Sequence, residues 1–168
     1  DPAWVKDMAD TYAELQINLM ELLFDKGGMP DGVWFYEDMG FKERPFMSPA
    51  MYRELIFPAH KRTVDYAHSL GLPVIMHSCG YIEPLLPHVV EAGIDCLQVI
   101  EVKAGMDPLR IHENFGDRIV LCGGMDARNL VANNRPAIKR ELEEKIPVLK
   151  QNSGYILHSD HSIPTGCE

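Results

Sequence analysis

The chain has 168 residues, of which 46% are hydrophobic and 24% charged, so it has the length and composition of a globular protein with a buried core. Its formal net charge is −9 and its basic residues are scattered, so we expect no nucleic-acid partner and no acidic membrane surface. No segment of the sequence resembles a signal peptide, and no apolar run approaches the roughly 20 residues that a membrane span needs. The four cysteines form no CxxC pair, which favours a reducing cytoplasm.

Both ends of the chain look cut. It begins Asp1-Pro2 rather than with methionine, and it stops at Gly166-Cys167-Glu168 shortly after a turn. We therefore expect residues 1–168 to form a single domain that is a fragment of a longer protein.

Strand and helix patterns alternate along the whole sequence. The predicted strands are 33–36, 74–79, 96–101, 118–122 and 155–158, and the predicted helices are 2–27, 49–70, 83–92, 108–115, 127–130 and 134–151. Capping residues start several of these helices: Asp1 before Pro2, Ser48 before Pro49, and Asp126. Pro58 is expected to bend or break the second helix, because proline lacks the backbone N–H that a helix interior uses.

This alternation predicts an α/β fold of about five parallel strands joined by crossover helices, as in part of a (β/α)8 TIM barrel. A whole barrel has eight strands and typically about 250 residues, so the chain is too short for one. A partial barrel exposes unpaired sheet edges, and we therefore expect a homodimer formed through those edges, strand exchange or poor solubility. No GxGxxG motif or P-loop is present, so nucleotide-binding folds are not supported.

The segment His77-Ser78-Cys79-Gly80 closes the strand that follows Pro73. Side chains two apart on a strand point to the same face, so His77 and Cys79 are expected to lie side by side at its carboxyl end. Imidazole nitrogen and thiolate sulfur are good zinc ligands. The same pair is also compatible with a half-buried histidine and an unreactive structural cysteine.

Other polar residues follow the remaining strands, where β/α barrels carry their chemistry. The candidates are Glu37, Asp38, Glu101, Gly123, Gly124, Asp126, Asp160 and His161. Glu37 and Asp38 are also compatible with loop solvation and capping, and Gly123-Gly124 with an ordinary tight turn. As site residues, the two glycines would let substrate approach the backbone, with Glu101 and Asp126 beside it.

Four segments together resemble the uroporphyrinogen decarboxylase superfamily, which includes porphyrinogen decarboxylases and zinc-dependent, corrinoid-linked methyltransferases. They are residues 37–40 with 46–49, the HxCG at 77–80, the Gly-Gly-Met-Asp at 123–126, and residues 154–157 with the Ile163-Pro164 exit. The resemblance covers the whole chain and implies the C-terminal half of the family barrel.

The resemblance also separates two branches of the superfamily. The methyltransferases have HxCG and a late cysteine that completes a zinc site, whereas the decarboxylases lack the His-x-Cys pair and have a late histidine. This chain has HxCG but carries His161 at the late position. The implied zinc ligands are His77, Cys79 and His161, with Cys167 as a rival third ligand and a fourth position left for substrate.

On the methyltransferase interpretation, zinc binds and deprotonates a thiol-type acceptor, which then takes a methyl group from a corrinoid (cobalamin) held by a partner protein. Glu37, Asp38 and Asp160 would orient the small-molecule substrate or support the ligands. The alternatives are a metal-free, decarboxylase-like carboxy-lyase acting on a tetrapyrrole or smaller acid, and an inactive fragment. The shortage of arginine near the strand ends counts against the lyase, because several carboxylates would need such partners.

Overall fold

A computed structural model describes residues 1–167. The helices and strands, in chain order, are α1 (Pro2–Gly27), β1 (Val33–Tyr36), α2 (Pro49–Leu55), α3 (Phe57–Ser69), β2 (Val74–Ser78), α4 (Leu86–Ala92), β3 (Cys96–Val99), α5 (Pro108–Phe115), β4 (Val120–Gly123), α6 (Ala127–Val131), α7 (Arg135–Leu149) and β5 (Tyr155–Ile156). Short 3₁₀ turns at Glu83–Leu85 and Val102–Ala104 complete the order.

The five strands form one parallel sheet in the order β1-β2-β3-β4-β5, which is their order along the chain. The register of the last three is set by pairing Cys96 with Val120, Val99 with Gly123, and Leu121 with Tyr155. Because parallel strands all end at the same edge of a sheet, the residues that follow each strand are brought to one side.

The chain folds into two compact units. The first comprises residues 1–35, 47–75 and 84–95, where α1 packs on α3 and the side chains of Tyr52 in α2 and Val64 in α3 are buried. The second comprises residues 36–46, 76–83 and those from 96 onward, with Met76, Leu97 and Leu121 in its core. Every candidate site residue lies in the second unit.

Local sequence signals start three helices where they were predicted, whereas α4 begins at Leu86 rather than at residue 83. The side chains of Asp1, Ser48 and Asp126 each accept a hydrogen bond from a backbone N–H in the first turn of the helix that follows, which confirms all three caps. The break expected near Pro58 is also present, since α2 ends at Leu55 and α3 begins at Phe57.

Four strand predictions were wrong in their boundaries. β2 ends at Ser78 rather than at residue 79. β3 ends at Val99 rather than at residue 101, because Ile100 has a φ of +60° and leaves the extended conformation. β4 runs from Val120 to Gly123 rather than 118–122. β5 covers Tyr155 and Ile156 alone, because beyond them the chain meets its neighbour through an isolated bridge between Met125 and Ser159.

In the described part of the chain, no helix is both long and apolar enough to cross a membrane.

Candidate metal centre

Asp38, His77 and Cys79 bring an oxygen, a nitrogen and a sulfur ligand atom together, all within 4.8 Å of one another. Asp38 Oδ1 lies 3.3 Å from His77 Nε2 and 3.2 Å from Cys79 Sγ. Carboxylate, imidazole and thiolate are the side-chain groups that bind zinc in proteins. The donor set therefore fits a zinc ion, and the three residues are called the Asp–His–Cys cluster below.

The side-chain alternation of strand β2, which continues one residue past its end, places His77 and Cys79 on the same face, next to Asp38. His77 and Cys79 are half-buried, whereas Ser78 between them points the other way and is buried. Ser78 Oγ accepts a hydrogen bond of 3.1 Å from Met39 N, next to Asp38 in sequence. Glu37 N also donates to His77 O at 2.8 Å, so main-chain contacts on both sides of Asp38 hold it over β2.

Two glycines allow the loop after β1 to lie directly on the loop after β2. A Cβ added to Gly80, whose φ is +77°, would be 2.3 Å from Gly40 C. A Cβ added to Gly40 would be 2.7 Å from Tyr81 N. Real Cβ atoms do not approach backbone so closely, and the positive φ also disfavours any side chain at Gly80. The glycine of HxCG is therefore needed to bring Asp38 near Cys79.

The imidazole of His77 is held on two further sides. Tyr36 stacks on it with ring centroids 4.7 Å apart and an angle of 28° between the planes. Gln98 Oε1 is hydrogen-bonded to His77 Nδ1. An amide oxygen can only accept, so Nδ1 carries a proton and, in the neutral ring, Nε2 presents its lone pair to Asp38. A proton or metal ion between these two electron-rich groups would stabilise them.

The charges of the cluster shift two pKa values in opposite directions. Partial burial alone would raise the pKa of Asp38, but two hydrogen bonds from Cys79 and the nearby His77 and His161 lower that pKa below its ordinary value. The pKa of Cys79 is raised to about 11, first by burial and then by the Asp38 and Glu101 carboxylates. Without a metal, Cys79 is therefore a thiol at neutral pH, and zinc binding must displace its proton.

Glu101 supports the cluster through the backbone. Its buried carboxylate accepts a 2.6 Å hydrogen bond from Gly80 N at Oε2, and its Oε1 lies 3.3 Å from Lys103 Nζ. Both oxygens thus have partners within the protein. The role in substrate binding expected for Glu101 stays a prediction.

Two acidic candidates have hydrogen-bond partners within the chain. Asp160, which is 0% exposed, accepts hydrogen bonds from Ala127 N at 2.8 Å and Lys103 N at 3.3 Å. Asp126 caps α6 and forms an ion pair of 2.7 Å with Arg128. The structure explains both by these contacts, and the catalytic role of Asp160 and the substrate contact of Asp126 remain predictions.

Gly123 and Gly124 make close approaches within the chain itself. A Cβ added to Gly123 would be 2.0 Å from Val99 O, and one added to Gly124 would be 2.9 Å from Pro108 Cβ. Both glycines are buried. These close contacts explain by packing why both positions are glycine. The substrate role predicted for the Gly-Gly pair stays a prediction.

The expected third ligand, His161, does not join the cluster of ligand atoms in the described residues. It is exposed, its carbonyl accepts a 2.5 Å hydrogen bond from Ser159 Oγ, and its charge contributes to the lowered pKa of Asp38. Cys167 is half-buried and likewise outside the cluster. Zinc binding by His161, or by Cys167 in its place, stays a prediction.

Sequence reasoning missed three residues around His77: Tyr36, Ser78 and Gln98. Gln98 had a visible signal, because it is the one polar residue in the otherwise apolar β3 (Cys96–Val99), and a buried amide requires a partner. Ser78 and Tyr36 had none, because their roles depend on how neighbouring strands are aligned.

Comparisons with known proteins agree with this architecture. The solved structure of a methyltransferase from Methanosarcina mazei superposes with a TM-score of 0.62 at 20% identity, covering 88% of this chain and 41% of that one. At that identity the likeness shows the fold, and it confirms the α/β fold of a partial (β/α)8 barrel.

A curated relative is also named a methyltransferase. It is the methylated-thiol–coenzyme M methyltransferase of Methanosarcina mazei, 31% identical over 90 residues, which are 54% of this chain and 23% of the relative. The chain thus spans about a quarter of that relative's length. The family model described as uroporphyrinogen decarboxylase (URO-D) matches residues 1–168, from one end of the chain to the other. The chain therefore belongs to the uroporphyrinogen decarboxylase (URO-D) family.

Proposed function

We propose that this protein is a zinc-dependent methyltransferase that moves a methyl group between a corrinoid carrier on a partner protein and a thiol-type acceptor. The observation that carries the proposal is the Asp–His–Cys cluster, which presents oxygen, nitrogen and sulfur ligand atoms within 4.8 Å of one another at the carboxyl end of β2. The name of the curated relative, a methylated-thiol–coenzyme M methyltransferase, supports the reaction class.

His77 Nε2 and Cys79 Sγ are the two protein ligands that the proposal requires. Asp38 Oδ1 is in contact with both atoms, and His161 is the competing third ligand that the sequence predicts. Three protein ligands leave one position of a tetrahedral site for substrate. Zinc bound there would supply a Lewis acid that lowers the pKa of the acceptor thiol towards neutrality.

The remaining chemistry belongs to the chain's own side chains. Cys79 Sγ donates its hydrogen bond to Asp38 Oδ1, so this carboxylate is placed to receive the proton that Cys79 loses when it becomes a ligand. Glu101 fixes Gly80 N and thereby the backbone beside Cys79. Tyr36 covers one face of the His77 ring and limits its rotation.

Metal analysis of the purified protein tests the metal part of the proposal. After zinc loading and removal of excess metal, the wild-type protein should retain about one zinc per chain, as a single catalytic site requires. His77→Ala and Cys79→Ala should lose it, and His158→Ala, which removes an exposed histidine outside the cluster, should not. Full zinc retention by a His77→Ala/Cys79→Ala double variant would contradict the proposal.

The third ligand is decided by three further variants, Asp38→Ala, His161→Ala and Cys167→Ala. Loss of a ligand weakens binding, so the variant with the largest fall in zinc affinity identifies the third ligand.

The reaction is tested separately with methylcobalamin and coenzyme M, following the cobalamin spectrum as the methyl group leaves. Zinc-loaded protein with no methyl transfer from methylcobalamin to any thiol offered would overturn the reaction while leaving the metal site standing.

A further inference from the structure

We infer that Gln98 is a positioning residue that holds His77 in the tautomer protonated at Nδ1, so that Nε2 is the nitrogen available to a metal. The inference rests on the proposed function, because it concerns the same cluster. Gln98 touches neither the Asp38 carboxylate nor the Cys79 thiol in any described hydrogen bond; its described hydrogen bond is to His77 Nδ1.

Burying the Gln98 side chain without a hydrogen-bond partner would destabilise the fold. It is 5% exposed in β3, where all four residues are buried, and the residue paired with it in β4 is the buried Cys122. Burying an amide without hydrogen bonds costs about 1–3 kcal/mol in proteins. A leucine would fill such a position without this cost, so the amide needs a compensating partner, and the imidazole supplies it.

The chemistry of the contact sets its direction. Oε1 has no proton, so Nδ1 must donate, and a neutral ring then has its lone pair on Nε2. That nitrogen lies 3.3 Å from Asp38 Oδ1 and within 4.8 Å of Cys79 Sγ. Stacking by Tyr36 on the ring face keeps the ring plane in place. Gln98 and Tyr36 therefore fix both the protonation and the orientation of the ring.

Two substitutions of Gln98 separate positioning from simple packing. Gln98→Glu keeps an oxygen that accepts from Nδ1, whereas Gln98→Leu keeps the volume and removes the acceptor. We expect Gln98→Leu to weaken zinc binding about 10- to 100-fold, the usual cost of losing the partner of a ligating histidine, and Gln98→Glu to stay near wild type. Gln151→Leu, at an exposed position just after α7, is the matched control and should leave both zinc affinity and the His77 tautomer unchanged.

A second readout does not depend on metal or activity. The ¹⁵N chemical shifts of the His77 ring in metal-free protein at neutral-to-alkaline pH report which nitrogen carries the proton. Wild type and Gln98→Glu should show protonated Nδ1 and unprotonated Nε2, and Gln98→Leu should shift the ring proton towards Nε2, where the Asp38 carboxylate remains as an acceptor 3.3 Å away. Wild-type protein protonated at Nε2 would overturn the inference even if Gln98→Leu did not fold.

Failure of the proposed metal site and failure of the role of Gln98 give different results. If His77→Ala keeps the full zinc affinity, the metal site of the proposed function fails. If His77→Ala loses zinc while folded Gln98→Leu keeps wild-type affinity and tautomer, the cluster stands and the role of Gln98 is refuted.

Discussion

Asp38 Oδ1 accepts two hydrogen bonds from Cys79, one from its Sγ and one from its backbone N, each 3.2 Å long. The contact joins the loops that follow β1 and β2, and it favours a protonated Cys79 beside an ionised Asp38. Cys79, which supplies the sulfur of the cluster, is thus held as a thiol until a metal replaces its proton.

The first prediction concerns the reactivity of Cys79 in metal-free protein. Its pKa of about 11 means that little thiolate exists at pH 9, so alkylation by iodoacetamide should be slow there and accelerate as the pH approaches 11. Asp38→Asn removes one negative neighbour, which should lower this pKa and speed alkylation at pH 9. Mass spectrometry of the Cys79 peptide in a Cys167→Ser background measures the rate.

Equal rates for wild type and Asp38→Asn across this pH range would contradict the assignment of Asp38 as a cause of the raised pKa. Burial is the larger cause, so Asp38→Asn should lower the pKa only part of the way to its ordinary value.

The second prediction concerns Gly80. Gly80→Ala combines a φ of +77° with a Cβ placed 2.3 Å from Gly40 C, so the two loops must separate. We expect a loss of about 2–3 kcal/mol or more in the free energy of unfolding, measured by urea denaturation, together with reduced zinc affinity. Gly71→Ala is the control, because Gly71 has a φ of +74° but no atom within 4 Å of an added Cβ.

Gly71→Ala should therefore show the cost of the backbone conformation alone, about 1 kcal/mol, and leave zinc binding intact. Equal losses in the free energy of unfolding for the two substitutions would mean that the close approach of Gly40 and Gly80 does not contribute to the effect of Gly80→Ala.

The third prediction concerns the buried carboxylate of Asp160. Asp160→Ala leaves the N–H groups of Ala127 and Lys103 without their acceptor, and each unsatisfied buried donor costs about 1–3 kcal/mol. A fall of that size in the unfolding free energy, with zinc content unchanged, is the expected result. Loss of methyl transfer in a stable, zinc-loaded Asp160→Asn variant would instead favour the catalytic role suggested by its position in the sequence.

The fourth prediction concerns Asp126 and acid. Its pKa is lowered chiefly by the hydrogen bonds from Arg128, so the ionised form stabilises the fold at neutral pH. Since the pKa is lower in the folded protein, this stabilisation is present above the ordinary value of 3.8 and is lost as the pH falls through the folded-state pKa. Asp126→Asn, which keeps the cap but not the charge, should be less stable than wild type at pH 7.

The difference between Asp126→Asn and wild type should stay constant above pH 3.8 and shrink below it, in denaturation curves collected from pH 7 to pH 2. Asp126→Ala also removes the helix cap and should cost about 1 kcal/mol more at pH 7. A difference from wild type that does not vary with pH would exclude the charge of Asp126 as its source.

Most of the fold was predictable because it is encoded locally. Ser48-Pro49 starts a helix whatever surrounds it, Pro58 interrupts one, and the apolar run after Pro73 leads into β2. The boundaries that failed depend on other parts of the chain. Ile100 leaves the extended conformation one residue before the predicted strand end, and β5 stops where its pairing with β4 stops.

The sequence by itself determined the strand–helix alternation and the placing of His77 and Cys79 side by side at the carboxyl end of one strand, because a strand repeats every two residues. Only the tertiary structure decided what meets them. Asp38 reaches Cys79 because Gly40 and Gly80 let two loops touch, and Gln98 reaches His77 from β3, 21 residues further along the chain. These contacts depend on strand alignment and loop packing, which no local pattern of residues specifies.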